Sequence, residues 1–448
     1  MTPDEETQEI TLAGGSYIPD TVCSETEFTG ILAEQMNVLL HLAGLADREG
    51  GGRLSRRLQA AIHEEAGDIE ELLEDYDARY NRTFAGLLEL VASIHLLAAA
   101  GHTLKSIQMR SAGRGIPGQA EASEALRQES RDTLEFLEGI ERALLDRLTQ
   151  ETRRVCGEML SSEPPRGVIT HDSLLQKRLP HTLGAEQHGD PGSIIAGEAT
   201  LFVGALKTFN ERFQCRKVSE PSELWRVYEE VCQEQQARFL EAKLQNIVSR
   251  YDTFIRNTEA EHQDENLRDF QHCVGMAKLF SRIVTPFIQM VNRFNDPSRS
   301  EEAKAHVSSL VPMESILERL VNYALYYVHA YLEVGEPIAK RLIQRYTTTE
   351  TIELDLPEGC ILHARPASMI AKIVGHHGTP VDMTIGSETC YAGSIMKVIL
   401  LAGNNLHERR VTFKGDRSPI QDLKLLFENR LGEDGLEKLP DELAYLRR

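Results

Sequence analysis

The hydrophobic residues of this 448-residue chain change their spacing near residue 346. From about residue 25 to residue 345 they recur every three or four positions, as Leu32, Met36 and Leu39 do, which is the spacing of one helical face. After that point, short runs alternate at period two, as in Ile352 and Leu354. Because one segment cannot satisfy both periods, the sequence predicts two regions of different fold class.

Residues 25–345 are predicted to form a large all-α helical bundle region of about seven to nine helices, of unknown family, behind an N-terminal tail over residues 1–24. The run over residues 83–101 is apolar almost all round, which predicts a buried central helix. Residues 161–193 hold four prolines and four glycines, which is typical of a long connection. The helical region would divide there if it has two subdomains.

Residues 346–448 are predicted to form a smaller domain with a C-terminal extension. Their patterns follow the order β-α-β-β-α-β-α within about 85 residues, which predicts an α+β open-faced sandwich, a four-stranded antiparallel sheet with three helices on one face. The last helix is expected to be capped by Ser418, with Pro419 at its first position.

The composition favours a cytoplasmic protein. The net charge of -20 argues against a nucleic-acid-binding face, and the acidic stretch at the start of the sequence lacks the pattern of a secretory signal. No unbroken apolar run reaches the roughly 18 residues that span a bilayer, so membrane insertion is not expected. The seven cysteines are scattered without a C-x-x-C pair, which fits reduced thiols. The long helices leave a homodimer open.

The stretch ILHARPAS, residues 361–368, places a histidine at a predicted strand-to-helix junction. Pro366 fits the first helical turn, so His363 would lie beside the free amides that make a helix start an anion site. Arg365 adds a permanent cation suited to phosphate. A neutral imidazole is a nucleophile, so these residues predict a phosphohistidine site. A histidine that only caps the helix, beside an ordinary surface arginine, is the alternative that the residues leave open.

The motif Leu362–Ala367 resembles HPr, the histidine-containing phosphocarrier of the bacterial phosphoenolpyruvate-dependent sugar phosphotransferase system. A second feature of that family, a serine-isoleucine-methionine stretch, is similar to residues 394–396, at the family's spacing of 31 residues after the histidine. The resemblance covers roughly residues 348–432, and the predicted order of strands and helices agrees with it.

The resemblance implies a phosphoryl-group carrier rather than a conventional enzyme, with no cofactor and no metal. His363 and Arg365 would be the catalytic residues, at a helix N-terminus formed by Pro366 and Ala367. His363 would accept phosphate from phosphorylated Enzyme I and pass it to a sugar-specific or regulatory acceptor protein. HPr kinase would be a further partner, with Ser394 as its regulatory phosphorylation site. The implied docking residues are Ile395, Met396 and Ile399, for which plain core packing is an equal alternative.

Two departures from the family keep a second hypothesis open. Ile361 stands where the family has glycine, beside Cys360, and the family does not carry a long helical region in front. The alternative is therefore a non-catalytic, HPr-shaped adaptor that binds protein partners, with a helical scaffold or ligand-sensing module.

Metal-binding patterns in the sequence are weak. A single Glu-x-x-His motif at Glu259 and His262 lacks the second copy that a diiron bundle needs. The pair His376 and His377, with Cys390, is interpreted as part of a solvated loop.

Overall fold

A computed structural model of the chain describes residues 23–48, 53–160, 191–213 and 216–447. These residues are mostly helical, with one small antiparallel sheet near the C-terminal end, so the predicted combination of an all-α region and an α+β region is confirmed at that level. The predicted N-terminal tail and the predicted connection at 161–193 fall almost entirely outside the described residues.

The described residues that precede the sheet form twelve α-helices. Breaks at Cys232 and around Asn257, which has a φ of 63°, divide residues 221–263 into three helices. A π-helical turn, Leu320–Leu325, joins the eleventh and twelfth helices. The helices are α1 Glu25–Arg48, α2 Arg56–Asp75, α3 Ala85–Gly113, α4 Ala120–Cys156, α5 Pro191–Arg212, α6 Pro221–Val231, α7 Glu234–Phe254, α8 Glu259–Gln263, α9 Glu265–Asn295, α10 Glu301–Ser308, α11 Met313–Arg319 and α12 Tyr326–Tyr346.

The chain divides into two compact units that do not follow the boundary at residue 346. The second unit contains part of the helical region together with the whole α+β domain. The first takes the described residues within Met1–His102, Glu135–Ser173 and Asn292–Pro312, and the second those within Thr103–Leu134, Leu174–Val291 and Met313–Arg448.

The first unit is built around the apolar part of α3. Leu88, Leu90 and Val91 are fully buried there, as the all-apolar run predicts. A buried carboxylate, Glu89, also lies in this unit, where the partly buried Arg293 is 3.5 Å from it and 2.7 Å from the partly buried Glu70. Opposite charges at that distance offset the cost of removing each one from water.

Helix α3 is the one helix among the described residues that is long and apolar enough to cross a membrane. Charged residues such as Glu89 interrupt its apolar run, so it holds no unbroken run of about 18 apolar residues. Its mean hydropathy over an 18-residue window is nevertheless 1.5. Within the fold, 83% of that window is buried, which is compatible with the core helix of a soluble protein.

In the second unit, α5 packs against both α12 and α7. The end of helix α13 (Ala364–His377) also reaches α5. There a Cβ on Gly197 would lie 3.3 Å from the His377 carbonyl oxygen, and Gly378 has a φ of 70°. Glycine at both positions therefore lets the two helices approach closely and joins the α+β domain to α5.

The α+β domain has a four-stranded antiparallel sheet in the order β1-β4-β2-β3. Alternate residues such as Val381, Met383 and Phe413 are buried beneath the helices. The expected cap at Ser418 is wrong, because α15 begins at Arg417 after Asp416, which makes Pro419 the third helical residue. The strands are β1 Thr349–Asp355, β2 Val381–Ile385, β3 Glu388–Tyr391 and β4 Arg410–Asp416, and the remaining helices are α14 Ile395–Asn404 and α15 Arg417–Glu428.

The two edge strands of this sheet are β1 and β3. Strand β1 carries Glu350, Glu353 and Asp355, and only alternate residues of it are partly buried. Strand β3 is four residues long.

Candidate functional site

His363 is the N-cap residue of α13. Its backbone is extended, with φ -99° and ψ -168°, and its Nδ1 atom accepts a hydrogen bond of 3.3 Å from the backbone N–H of Arg365. Pro366 and Ala367 follow in the first turn, and both are buried. Nδ1 therefore carries a lone pair that faces the positive end of a helix, where first-turn amides have no intrahelical acceptor.

The other ring nitrogen of His363 faces a carboxylate that the sequence analysis did not identify. Nε2 lies 3.1 Å from Oε1 of Glu433, at an ion-pair distance but without the alignment of a hydrogen bond. A carboxylate in this position favours a proton on Nε2, which agrees with the acceptor role of Nδ1. The imidazole side chain is 46% exposed, so an incoming group can reach it.

The C-terminal extension brings Glu433 to this position. After α15 the chain reverses through Arg430 and Leu431, which have φ values of 51° and 58°, in the left-handed region that non-glycine residues rarely adopt. Arg430 fixes the turn, since its Nη2 donates to the Glu358 carbonyl and its own carbonyl accepts a weak bond from Cys360 Sγ. Four leucines of this segment are buried in the domain core: Leu431, Leu439, Leu443 and Leu446.

Arg365 lies on the same side of the site and is mostly exposed. Its Nη1 is 4.0 Å from Oε2 of Glu433, so the carboxylate lies between the histidine and the arginine. At that distance in partly exposed surroundings the attraction is weak, and Arg365 can turn to another anion.

Ile361 does not impose the backbone strain that a residue in place of glycine suggests. It is outside the left-handed region, which Gly359 adopts instead with a φ of 78°. The Ile361 side chain is 68% exposed at the rim of the site. The Ile361 side chain would therefore contact a partner that approaches His363. Cys360, the residue before it, is buried.

Ser394 is the N-cap of α14, and its Oγ accepts a bond of 3.4 Å from the N–H of Lys397. Of the three predicted docking residues, Ile395 and Met396 are exposed, whereas Ile399 is half-buried and packs on the domain core. Two further apolar side chains that the sequence analysis did not select, Leu400 and Leu406, are also exposed.

The histidine pair at the end of α13 belongs to a polar cluster and not to a solvated loop. His377 Nε2 lies 2.8 Å from Asp422 Oδ2, which also accepts a 2.5 Å bond from the Tyr445 hydroxyl. The His376 ring stacks on Tyr445 with centroids 3.7 Å apart. Asp422 thus ties the C-terminal extension to α13 and α15. No group of three or more metal-ligating side chains occurs within the described ranges.

Comparison of the chain with protein-family models, with curated proteins and with solved structures finds no match.

Proposed function

We propose that the C-terminal domain is an HPr-like phosphocarrier domain in which His363 accepts a phosphoryl group from phosphorylated Enzyme I. One observation carries the proposal: Nδ1 of His363 accepts from a first-turn amide of α13 while Nε2 faces Glu433. A nucleophilic nitrogen, an anion-binding helix start and a group that holds the ring proton elsewhere are the requirements of a reversible phosphohistidine.

In the proposed step, the Nδ1 lone pair attacks the phosphorus of the donor. The bond between phosphorus and the donor atom breaks, and the donor keeps the electron pair. The ring retains its proton on Nε2 and becomes cationic, and Glu433 balances that charge. The phosphoryl oxygens are received by the amides at the start of α13 and by the guanidinium of Arg365.

Release to an acceptor is the reverse of this step. Because the site is half-exposed and Arg365 is held only loosely, a partner can approach the phosphorus from outside. The acceptor would be a sugar-specific or regulatory protein of the phosphotransferase system. A cytoplasmic location follows from those partners.

The docking surface in this proposal is the exposed apolar face of α14. Ile395, Met396 and Leu400 are accessible there, and exposed apolar patches mark protein contact sites. Ser394 caps the same helix, so a phosphate placed on it by an HPr kinase would introduce charge beside this face. That would weaken docking of a partner that buries the face.

The test is to incubate the full chain with phosphoenolpyruvate and with Enzyme I from the same source, and to look for an acid-labile, alkali-stable phosphate. His363→Ala should abolish the label. His407→Ala, which changes an exposed histidine outside the site, should retain it. If the folded chain takes no label while the same Enzyme I phosphorylates its own carrier, the proposal is wrong.

A non-catalytic adaptor is the second candidate. It is favoured by the exposed Ile361 side chain at the rim of the site and by an apolar α14 face that can bind a partner without phosphate. In that case the chain would bind its partners equally well as wild type and as His363→Ala.

A further inference from the structure

A cavity of about 410 Å³ lies between α5, α7 and the end of α13, within the second unit. Its size falls in the range of small-molecule sites, and polar side chains from four helices line it. Among them are Glu198, Arg250, Asn246, His376 and Ser418. None of them belongs to the His363 site.

The most unusual group in this cavity is the carboxylate of Glu198. The residue is completely buried, and one oxygen, Oε1, pairs with Nε of Arg250 on α7. The other oxygen, Oε2, is buried without any hydrogen-bond partner. Buried polar groups are almost always satisfied, so an acceptor of this kind beside a cavity calls for a donor from outside the chain.

The end of α13 adds further acceptors to the same wall. Gly378 donates its N–H to the Val374 carbonyl, so the last three carbonyls, of Gly375, His376 and His377, lack a donor within the helix by their position. The C-terminal end of a helix carries partial negative charge. Burial lowers the pKa of the neighbouring His376, which keeps that ring uncharged and adds no cation to the cavity.

Charge in the cavity is therefore set by few groups. Arg250 balances one carboxylate, and His377 is engaged with Asp422. What remains is the second Glu198 oxygen, an acceptor without a donor, and the partial negative charge at the end of α13. The acceptor favours a hydrogen-bond donor and the helix end favours positive charge, and a primary ammonium supplies both, with three donors at one point.

We propose that this cavity binds a small molecule bearing a primary ammonium group, with that group at Glu198 Oε2 and the end of α13. The amide of Asn246 and the hydroxyl of Ser418 would contact the rest of the molecule. The site is independent of phosphate on His363, so the chain would bind the amine whether or not it is a phosphocarrier.

The experiment measures binding of putrescine and of ethanolamine to the full chain by isothermal titration calorimetry at pH 7.5. Their neutral counterparts, 1,4-butanediol and ethylene glycol, are measured in parallel. We expect saturable binding of at least one amine at one molecule per chain, and none of its diol. Binding by neither amine, or equal binding of the diol, would overturn the proposal.

Two pairs of variants locate the site. Glu198→Gln should weaken binding at least tenfold, whereas Glu211→Gln, an exposed change on the same helix, should leave it unchanged. Should Glu198→Gln not fold, Asn246→Lys provides the same test, because it places a cation at an exposed position of the cavity wall. Gln245→Lys is its control one residue away. Amine binding that survives both Glu198→Gln and Asn246→Lys would contradict the site.

Discussion

His363 Nε2 and Glu433 Oε1 lie 3.1 Å apart, although the two residues are 70 positions apart in the sequence. That carboxylate oxygen is buried and makes no hydrogen bond, and the imidazole lies at ion-pair distance from it. Glu433 is thus placed to decide which nitrogen of His363 carries the proton.

Replacing Glu433 with glutamine should mix the two tautomers of His363. In the wild-type chain the proton should reside on Nε2, and nitrogen NMR of the imidazole reports this directly. Because the contact is half-exposed and contributes about 1 kcal/mol at most, the rate of phosphorylation should fall about two- to fivefold without being abolished.

Two further variants test whether the effect depends on a carboxylate at the position of Glu433 or on the negative charge of the C-terminal segment in general. Glu437→Gln removes an exposed carboxylate from the same C-terminal segment and should change neither the NMR signals of His363 nor the rate. Glu433→Asp should recover part of the wild-type rate. An unchanged tautomer in Glu433→Gln would mean that the carboxylate does not position the ring.

Met396 and Ile399 lie on the same helix but should respond differently to truncation. Met396 is 67% exposed, so Met396→Ala should change the free energy of unfolding by less than about 0.5 kcal/mol. If it is a docking residue, the concentration of Enzyme I needed for half-maximal phosphorylation should rise roughly five- to thirtyfold, equivalent to about 1–2 kcal/mol.

Ile399→Ala is the comparison, because this side chain packs on the domain core. It should lower the free energy of unfolding by about 1–3 kcal/mol, as measured by urea denaturation. Equal stability losses in the two variants would contradict the assignment of one outward and one inward residue.

Acid should destabilise both units through buried histidines. Burial, with the neighbouring His63, lowers the pKa of His95 to about 4, and burial lowers that of His272 to about 4 as well. In the unfolded chain each titrates near 6.5, so between pH 6.5 and 4 the unfolded state binds protons that the folded state does not. Stability should therefore fall as pH decreases through that window, by about 1–2 kcal/mol for each histidine.

Urea denaturation at several pH values checks this. His95→Gln and His272→Gln should each flatten the dependence of stability on pH between 6.5 and 4, and His407→Gln, at an exposed position, should not. If both buried-site variants keep the full wild-type slope, other groups cause the acid sensitivity.

Tyr445→Phe should weaken the packing of the C-terminal extension on the rest of the α+β domain. The change removes the 2.5 Å bond from the tyrosine hydroxyl to Asp422 and retains the stacked ring of His376. A hydrogen bond to a carboxylate contributes about 1–2 kcal/mol, so the free energy of unfolding should fall by that amount. Tyr391→Phe, at an exposed position, should be neutral, and a neutral result for Tyr445→Phe would show that the cluster does not hold the segment.

The strands and helices of the α+β domain could be predicted from the sequence because each follows a clear local pattern. Alternation of Ile352 and Leu354 corresponds to β1, and the stretch ILHARPAS leads into the start of α13. Patterns of this kind are set by which face of an element is buried, and that is visible in one sequence.

Glu433 could not be found in the same way. Its contact with His363 depends on a turn in which Arg430 and Leu431 both have positive φ, and neither residue type favours that conformation. The turn is maintained by tertiary packing of later leucines, such as Leu443. Packing at long range leaves no periodic signal, which is also why the polar cluster at Asp422 was not anticipated.

The two edge strands of the sheet affect whether copies of the domain aggregate at high concentration. Unpaired backbone groups on an edge strand are a template on which a second chain can add a strand. The acidic side chains of β1, among them Glu350 and Asp355, and the shortness of β3 oppose such pairing. The apolar face of α14 is therefore exposed in a domain whose sheet edges resist growth into aggregates.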